Sequence, residues 1–397
     1  MWWNQFDGLL ELTLDYENHE FVVVHVAGEV RRSKTNGEAV PPLLDFKRAT
    51  VRVPERTLVL VTPTGSAIEV DLYWFDDQRV RRAGRPAIYL DQNKWVQISK
   101  ALNRPEHVQP AAELDATLQL VELSRSRKVL LPLSSGHYIE TGPLYDSRRR
   151  DLATLMVGLS SGWIMRDPLT VRMQELVVSF QAKGHPASIR QPVFTLDPEA
   201  LKTRTELPDE PDPLSLDAAS LVFGGASARF AVLLENQAID NPEGGAYTAR
   251  WAEAQQRTAD ILASNPAVRA EARRFTLHAF LRDLGLHLAT AVRSSGVNPD
   301  DVGDWLRSAP DDQIKSLPYL GRAREVHYQR LMNAQDRWRP HDLIDWLYLP
   351  LAAGYADHVV CENSHAHQLR RAEAAVTTIG AQIHTSFRNL IAHLTLA

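Results

Sequence analysis

Two short apolar runs far apart in the chain, AIYL (87–90) and HVVC (358–361), each stop on an acid, Asp91 and Glu362. Runs of this length bounded by polar residues read as buried strands. A carboxylate just past such a strand is either a turn residue or a ligand. From residue 85 onward the pattern is strand, helix, strand, helix, which favours a parallel α/β sheet. KVLLPL (128–133) reads as a further strand and AQIHTS as a candidate one, while WVQISKAL, ELDATLQLVELS and HDLIDWLYLPLAAG read as helices and FRNLIAHL closes the chain. Trp95, Ile98 and Leu102 share one helical stripe.

Residues 8–84 have another texture. LLELTLDY, EFVVVHVAGEV, ATVRVP, TLVLVTP and AIEVDLYWF are short, β-branched and roughly alternating, with Asn, Gly and Pro between them. They predict a small antiparallel β domain over 1–84. An α/β core follows in two halves, 85–178 and 318–397, separated by a mainly helical insertion over 179–317 that stays out of the sheet. Within the insertion TELPDEPDPLSLD (205–217) is a loop, and YTARWAEAQQRTADILA (247–263) and AVRAEARRFTLHAFLRDLGLHLATAV (267–292) are helices broken at Asn265-Pro266. The chain shows no internal repeat.

With 397 residues, 44% of them hydrophobic and 23% charged, the chain is long enough for two or three globular domains. No eighteen-residue apolar run occurs and MWWNQFDGLLEL lacks the layout of a secretory leader, so the expected location is the cytoplasm, with no membrane contact. A lone cysteine, Cys361, excludes an intrachain disulfide and a multi-cysteine zinc site. The net charge of −5 argues against nonspecific coating of nucleic acid and leaves room for a local basic track.

Five acids are candidates for chemistry. Asp91 and Glu362 end their strands, Glu140 lies in SSGHYIET a few residues after KVLLPL, and Asp342 and Asp345 open the helix in RPHDLIDWL. The carboxyl ends of parallel strands line one edge of a sheet, where ligands bind, so acids distant in sequence can meet there. Two unit charges about 4 Å apart repel by roughly 4 kcal/mol at an effective dielectric near 20. A divalent cation offsets that repulsion, and an oxygen-only set suits Mg²⁺ or Mn²⁺.

IYLDQNKW, PLSSGHYIET and WRPHDLIDWLYLPLAAGYADHVVCEN, in that order, resemble the PIN-like nuclease superfamily over roughly 85–165 and 318–397. The resemblance implies an α/β fold with a parallel-sheet PIN-like core that holds one or two Mg²⁺ or Mn²⁺ ions and hydrolyses phosphodiesters. It assigns Asp91 as the first acid of an Asp-x-Asn opening with Asn93, Glu140 as the second, Asp342 as the third with Asp345 sharing that role, and Glu362 as the last, where many members have Asp. The long helical middle and the N-terminal β domain lie outside the family core.

Each acid also has a purely structural reading. Asp342 and Asp345 fit the capped start of a helix, Asp91 with Asn93 fits an Asx turn, and Glu140 follows Ser134 and Ser135, which could cap a helix. Other constellations are weaker. Cys361 ends an apolar strand and reads as core, the histidines of HAH (365–367) as surface, and FGGAS (223–227) as a loop or small-residue helix start. Asn93, Arg148 in RRR (148–150), Arg337 and Arg339 are the substrate-binding candidates, with Arg322, Arg324, Arg330 and RR (370–371) also beside the motifs.

The sequence therefore supports two expectations. One is a metal-dependent endonuclease acting on nucleic acid, RNA in preference to DNA because RNA cleavage is the commoner activity of the superfamily. The other is a catalytically inactive chain of the same shape, whose β domain or helical insertion contacts a protein partner or a second copy.

Overall fold

A computed structural model describes residues 8–34, 46–72, 82, 84–144, 146–182, 189, 191–203, 233, 242–307 and 310–395. The loop expected at 205–217 and FGGAS at 223–227 lie outside them. The protein is mixed α/β, with a six-stranded antiparallel sheet and a small parallel sheet. Among the described residues no helix is long and apolar enough to cross a membrane.

The antiparallel sheet comprises β1 (Leu9–Asp15), β2 (Glu20–His25), β3 (Val30–Lys34), β4 (Arg48–Arg52), β5 (Thr57–Val61) and β6 (Ala67–Asp71), in the order β3-β2-β1-β4-β5-β6. In β4 and β6 buried residues alternate with more exposed ones, as a one-sided sheet requires, whereas β5 is buried nearly throughout.

The chain then runs through β7 (Ile88–Leu90), α1 (Gln92–Asn103), α2 (Ala111–Arg125), α3 (Ser135–Thr141), α4 (Asp146–Ser160), β8 (Ile164–Met165), α5 (Pro168–Ala182) and β9 (Phe194–Thr195). Among the described residues seven helices follow: α6 (Pro242–Ser264), α7 (Pro266–Ala270), α8 (Ala272–Asp283), α9 (Gly285–Ser295), α10 (Pro299–Arg307), α11 (Pro310–Lys315) and α12 (Pro318–Leu331). The remaining elements are α13 (Asp342–Tyr355), β10 (His358–Val360), α14 (Asn363–Glu373), β11 (Gln382–His384) and α15 (Phe387–Leu394).

β11, β10 and β7 form the parallel sheet in that order, with Leu90 beside Val360 and Val360 beside His384. Both faces are covered, so every residue of β7 and β10 is buried, and alternate residues enter different cores. Ile88, Leu90 and Val360 pack with Trp95, Ile98, Val157 and Phe387 on one side. Ala87, Tyr89, Val359 and Cys361 pack with Val171, Phe280, Leu320 and Trp346 on the other.

Three expectations change. KVLLPL does not form a continuous strand: only isolated parallel bridges join Leu130 to Ala87 and Leu133 to Ile164. Pro132, between them, has no N–H to donate to a ladder. The insertion does not start at 179 or stay out of sheets, because α5 runs through that boundary and β9 pairs antiparallel with β8. The long helix read at 267–292 is three, with breaks at Glu271 and Leu284. Asn265 does start α7 as read, its side chain accepting from the N–H groups of Ala267 and Val268.

The N-terminal sheet shares its core with the parallel one. Leu58, Leu60, Ile68 and Val70 belong to the same apolar cluster as Ile88, Leu131 and Ile164. At the seam, Asp71 accepts from Trp163 Nε1 at 3.0 Å and faces Arg127 at 3.3 Å and Arg85 at 3.4 Å. Gly162 stands here at φ +85°, where an added Cβ would sit 3.2 Å from Val70.

Candidate active site

The pairing of β7 with β10 decides which acids can meet. The N–H of Asp91 donates to Val360 O at 3.0 Å, so Asp91 and Glu362 leave adjacent strands at the same edge. Each then occupies the N-cap position of a helix, Asp91 of α1 and Glu362 of α14, yet neither side chain makes a capping hydrogen bond. Glu362 instead accepts from Asn93 Nδ2 at 2.6 Å. The positive ends of both helices lie at this edge and offset part of the negative charge.

Asp91 is buried, and burial lifts its carboxyl above its ordinary value, with Glu362 adding to the rise. His365, the Gln92 N–H and Lys94 oppose that rise, although the ammonium of Lys94 is itself held by Thr385 O at 2.7 Å.

Glu140 is brought to the same place by the start of α3. His137 N donates to Ser134 Oγ at 3.4 Å, while Ser134 N donates to His137 Nδ1 at 3.0 Å, a reciprocal cap with His in the place usual for Glu. The other imidazole nitrogen, Nε2, reaches Leu90 O at 2.8 Å and ties α3 to the end of β7. Burial pushes His137 down to about 4, so it is neutral and serves both bonds. One turn on, Glu140 is pushed up to about 8 by burial, then by the charges of Asp345 and Asp91.

The first turn of α13 supplies two acids with different surroundings. Asp345 is pushed up to about 6, mainly by burial and then by Asp91 and Asp342, against the opposing pull of His365 and His341. His365 Nε2 lies 3.6 Å from Asp345 Oδ2. Asp342 turns to other partners: one oxygen accepts from Arg330 and from the Arg339 N–H, and the other is 3.5 Å from His341. Of the two acids expected to share the third place, Asp342 is held in an internal ion pair, while the charge of Asp345 reaches Asp91 and Glu140.

Asp91, Glu140, Asp345 and Glu362 form one chain of mutually felt charges, with His365 beside them and Asn93 bonded to Glu362. As the side chains stand, no three His, Cys, Asp or Glu among the described residues are posed to share one ion. The donor chemistry of the four acids suits a hard divalent cation, which would offset the repulsion that Asp91, Glu140 and Asp345 exert on one another. An ion would have to draw the carboxylates inward.

The arginines divide sharply. Arg148, Arg337 and Arg339 are exposed. Arg322 is buried and bonded to Glu373, Pro318 O and Thr378, Arg324 faces Asp311 at 3.1 Å, and Arg330 holds Asp342. Buried guanidinium groups need in-chain acceptors, and each of these holds at least one, so Arg322, Arg324 and Arg330 are corrected from a phosphate track to framework. Cys361 is buried core as read, its thiol pushed up to about 12 by burial, which leaves no thiolate near neutral pH. Sequence reading missed His365, set aside as a surface histidine; its place three residues after Glu362 at a helix start was the available signal. Comparison with known proteins supplies no relative: no family model, no curated protein and no solved structure matches the chain.

Proposed function

We propose that this protein is a metal-dependent endonuclease with a PIN-like core, hydrolysing phosphodiester bonds in nucleic acid, RNA in preference to DNA. One observation carries the reading: four carboxyl groups from four separate parts of the chain gather at the carboxyl edge of a parallel sheet, two of them at helix starts that they do not cap. A structural role would have spent those two on the helices. Asp91, Glu140, Asp345 and Glu362 would hold Mg²⁺ or Mn²⁺, and the bound ion would supply an activated water and charge neutralisation on the phosphate. Asn93 fixes the Glu362 carboxylate. Arg148, Arg337 and Arg339 are the exposed cations offered to substrate phosphates.

A second reading, a catalytically inactive binding protein of the same shape, is favoured by the lack of any acid trio already posed round one ion among the described residues. Incubating single-stranded RNA and DNA with the protein in Mn²⁺, in Mg²⁺ and in EDTA decides between them, with Asp91→Asn as control. The endonuclease reading expects metal-dependent cleavage that Asp91→Asn abolishes without loss of fold. Cleavage by neither metal, together with an unchanged Tm on adding Mn²⁺, favours the binding protein.

A further inference from the structure

Away from the acids, three imidazoles pack against one another where β10, β11 and α15 meet. His358 and His384 sit on one face of adjacent strands, and His393 comes down on them from the helix. Ring centroids are 5.2 Å apart for His358 and His384, 5.3 Å for His358 and His393, and 5.7 Å for His384 and His393. His358 Nδ1 is 3.1 Å from His384 Nε2.

Those spacings match a familiar polyhedron. Nitrogens at about 2.0–2.1 Å from a tetrahedral ion stand about 3.3 Å apart, and the rings behind them about 5 Å apart. We infer that His358, His384 and His393 form a second metal site, selective for Zn²⁺ or a similar borderline transition ion, that clamps α15 to the edge of the parallel sheet. An all-imidazole set disfavours Mg²⁺. The inference does not depend on the nuclease reading, since none of its residues belongs to the acid cluster.

Two features make the trio competent, an exposed third ring and a closely spaced pair. As they stand the three do not close on one point. His393 is exposed on α15, so it can turn in without unpacking the core, while the 3.1 Å pair already presents two nitrogens at ligand spacing. Without metal that pair shares one hydrogen, which on binding would move to the far nitrogen of the same ring. A water would complete the coordination.

The test uses the full chain freed of metal by a chelator. Calorimetry with Zn²⁺ is expected to give one tight equivalent, and Co²⁺ an intense visible spectrum of tetrahedral type. His393→Ala removes an exposed ligand and no core, and is expected to weaken Zn²⁺ by more than about tenfold and abolish the Co²⁺ spectrum, with circular dichroism unchanged. His384→Gln should behave alike if it folds; if it does not, His393→Ala alone decides. No Zn²⁺ uptake by the wild type overturns the assignment. So does uptake unaffected by His393→Ala, or lost in Asp91→Asn instead, which would move the ion to the acid cluster.

Discussion

Glu140→Gln tests the electrostatic account of the acid cluster most directly, because it removes a charge and little volume. Glu140 goes from an ordinary 4.5 to about 8, with burial as the first cause and Asp345 and Asp91 behind it. Below about 4.5 both the folded and the unfolded chain carry this proton. As the pH rises, the unfolded chain releases it first, so folding loses stability progressively until the folded carboxyl also ionises near pH 8. The gap between the two values converts to a ceiling of about 5 kcal/mol at about 1.4 kcal/mol per pH unit. Partial contact with solvent and readjustment of Asp345 reduce it to on the order of 2–3 kcal/mol. Urea unfolding in EDTA should therefore find the wild type and Glu140→Gln alike at pH 4 and the variant more stable by about that amount at pH 9. Mn²⁺ should restore the wild type alone. An advantage for the variant that is the same at every pH would refute the charge cluster and point to packing.

Asp342→Asn and Asp345→Asn should separate framework from site: the first lowers stability by about 1–3 kcal/mol through the Arg330 pair and keeps the Tm response to Mn²⁺, the second loses that response with little cost to the fold. Replacing exposed Arg337 and Arg339 together by Gln should lower single-strand affinity, flatten the log K against log salt slope by about 1.4, and leave Tm unchanged. Asp71→Ala, which strips Arg85, Arg127 and Trp163 of a buried partner, should cost about 3–5 kcal/mol in urea unfolding and still give a single transition, because the two sheets share one apolar cluster.

β7 and β10 were legible because strands buried on both faces cannot show polar alternation, and the acids just past them followed from the same reading. β8 and β9 were not, since two residues carry no periodicity. The break at Glu271 lacks a Pro or Gly that would announce it, and at Leu284 the lone Gly285 is no stronger a signal than a glycine tolerated inside a helix. In α3 the Ser134 cap was legible, but its reciprocal partner was not, because His137 stands where Glu or Gln is usual. The choice between Asp342 and Asp345 turns on Arg330, a partner twelve positions away on another helix, and no local pattern could have made it.

The order in which the acids occur along the chain has a consequence during synthesis. Asp91 and Glu140 emerge from the ribosome early, in a segment whose β7 lacks its neighbour until β10 arrives. Asp345 and Glu362 come only after the long helical stretch between α6 and α12. An unfinished chain thus carries half a charge cluster on an unpaired strand edge, and whatever the complete cluster does, a nascent chain stays inert until β10 zips beside β7.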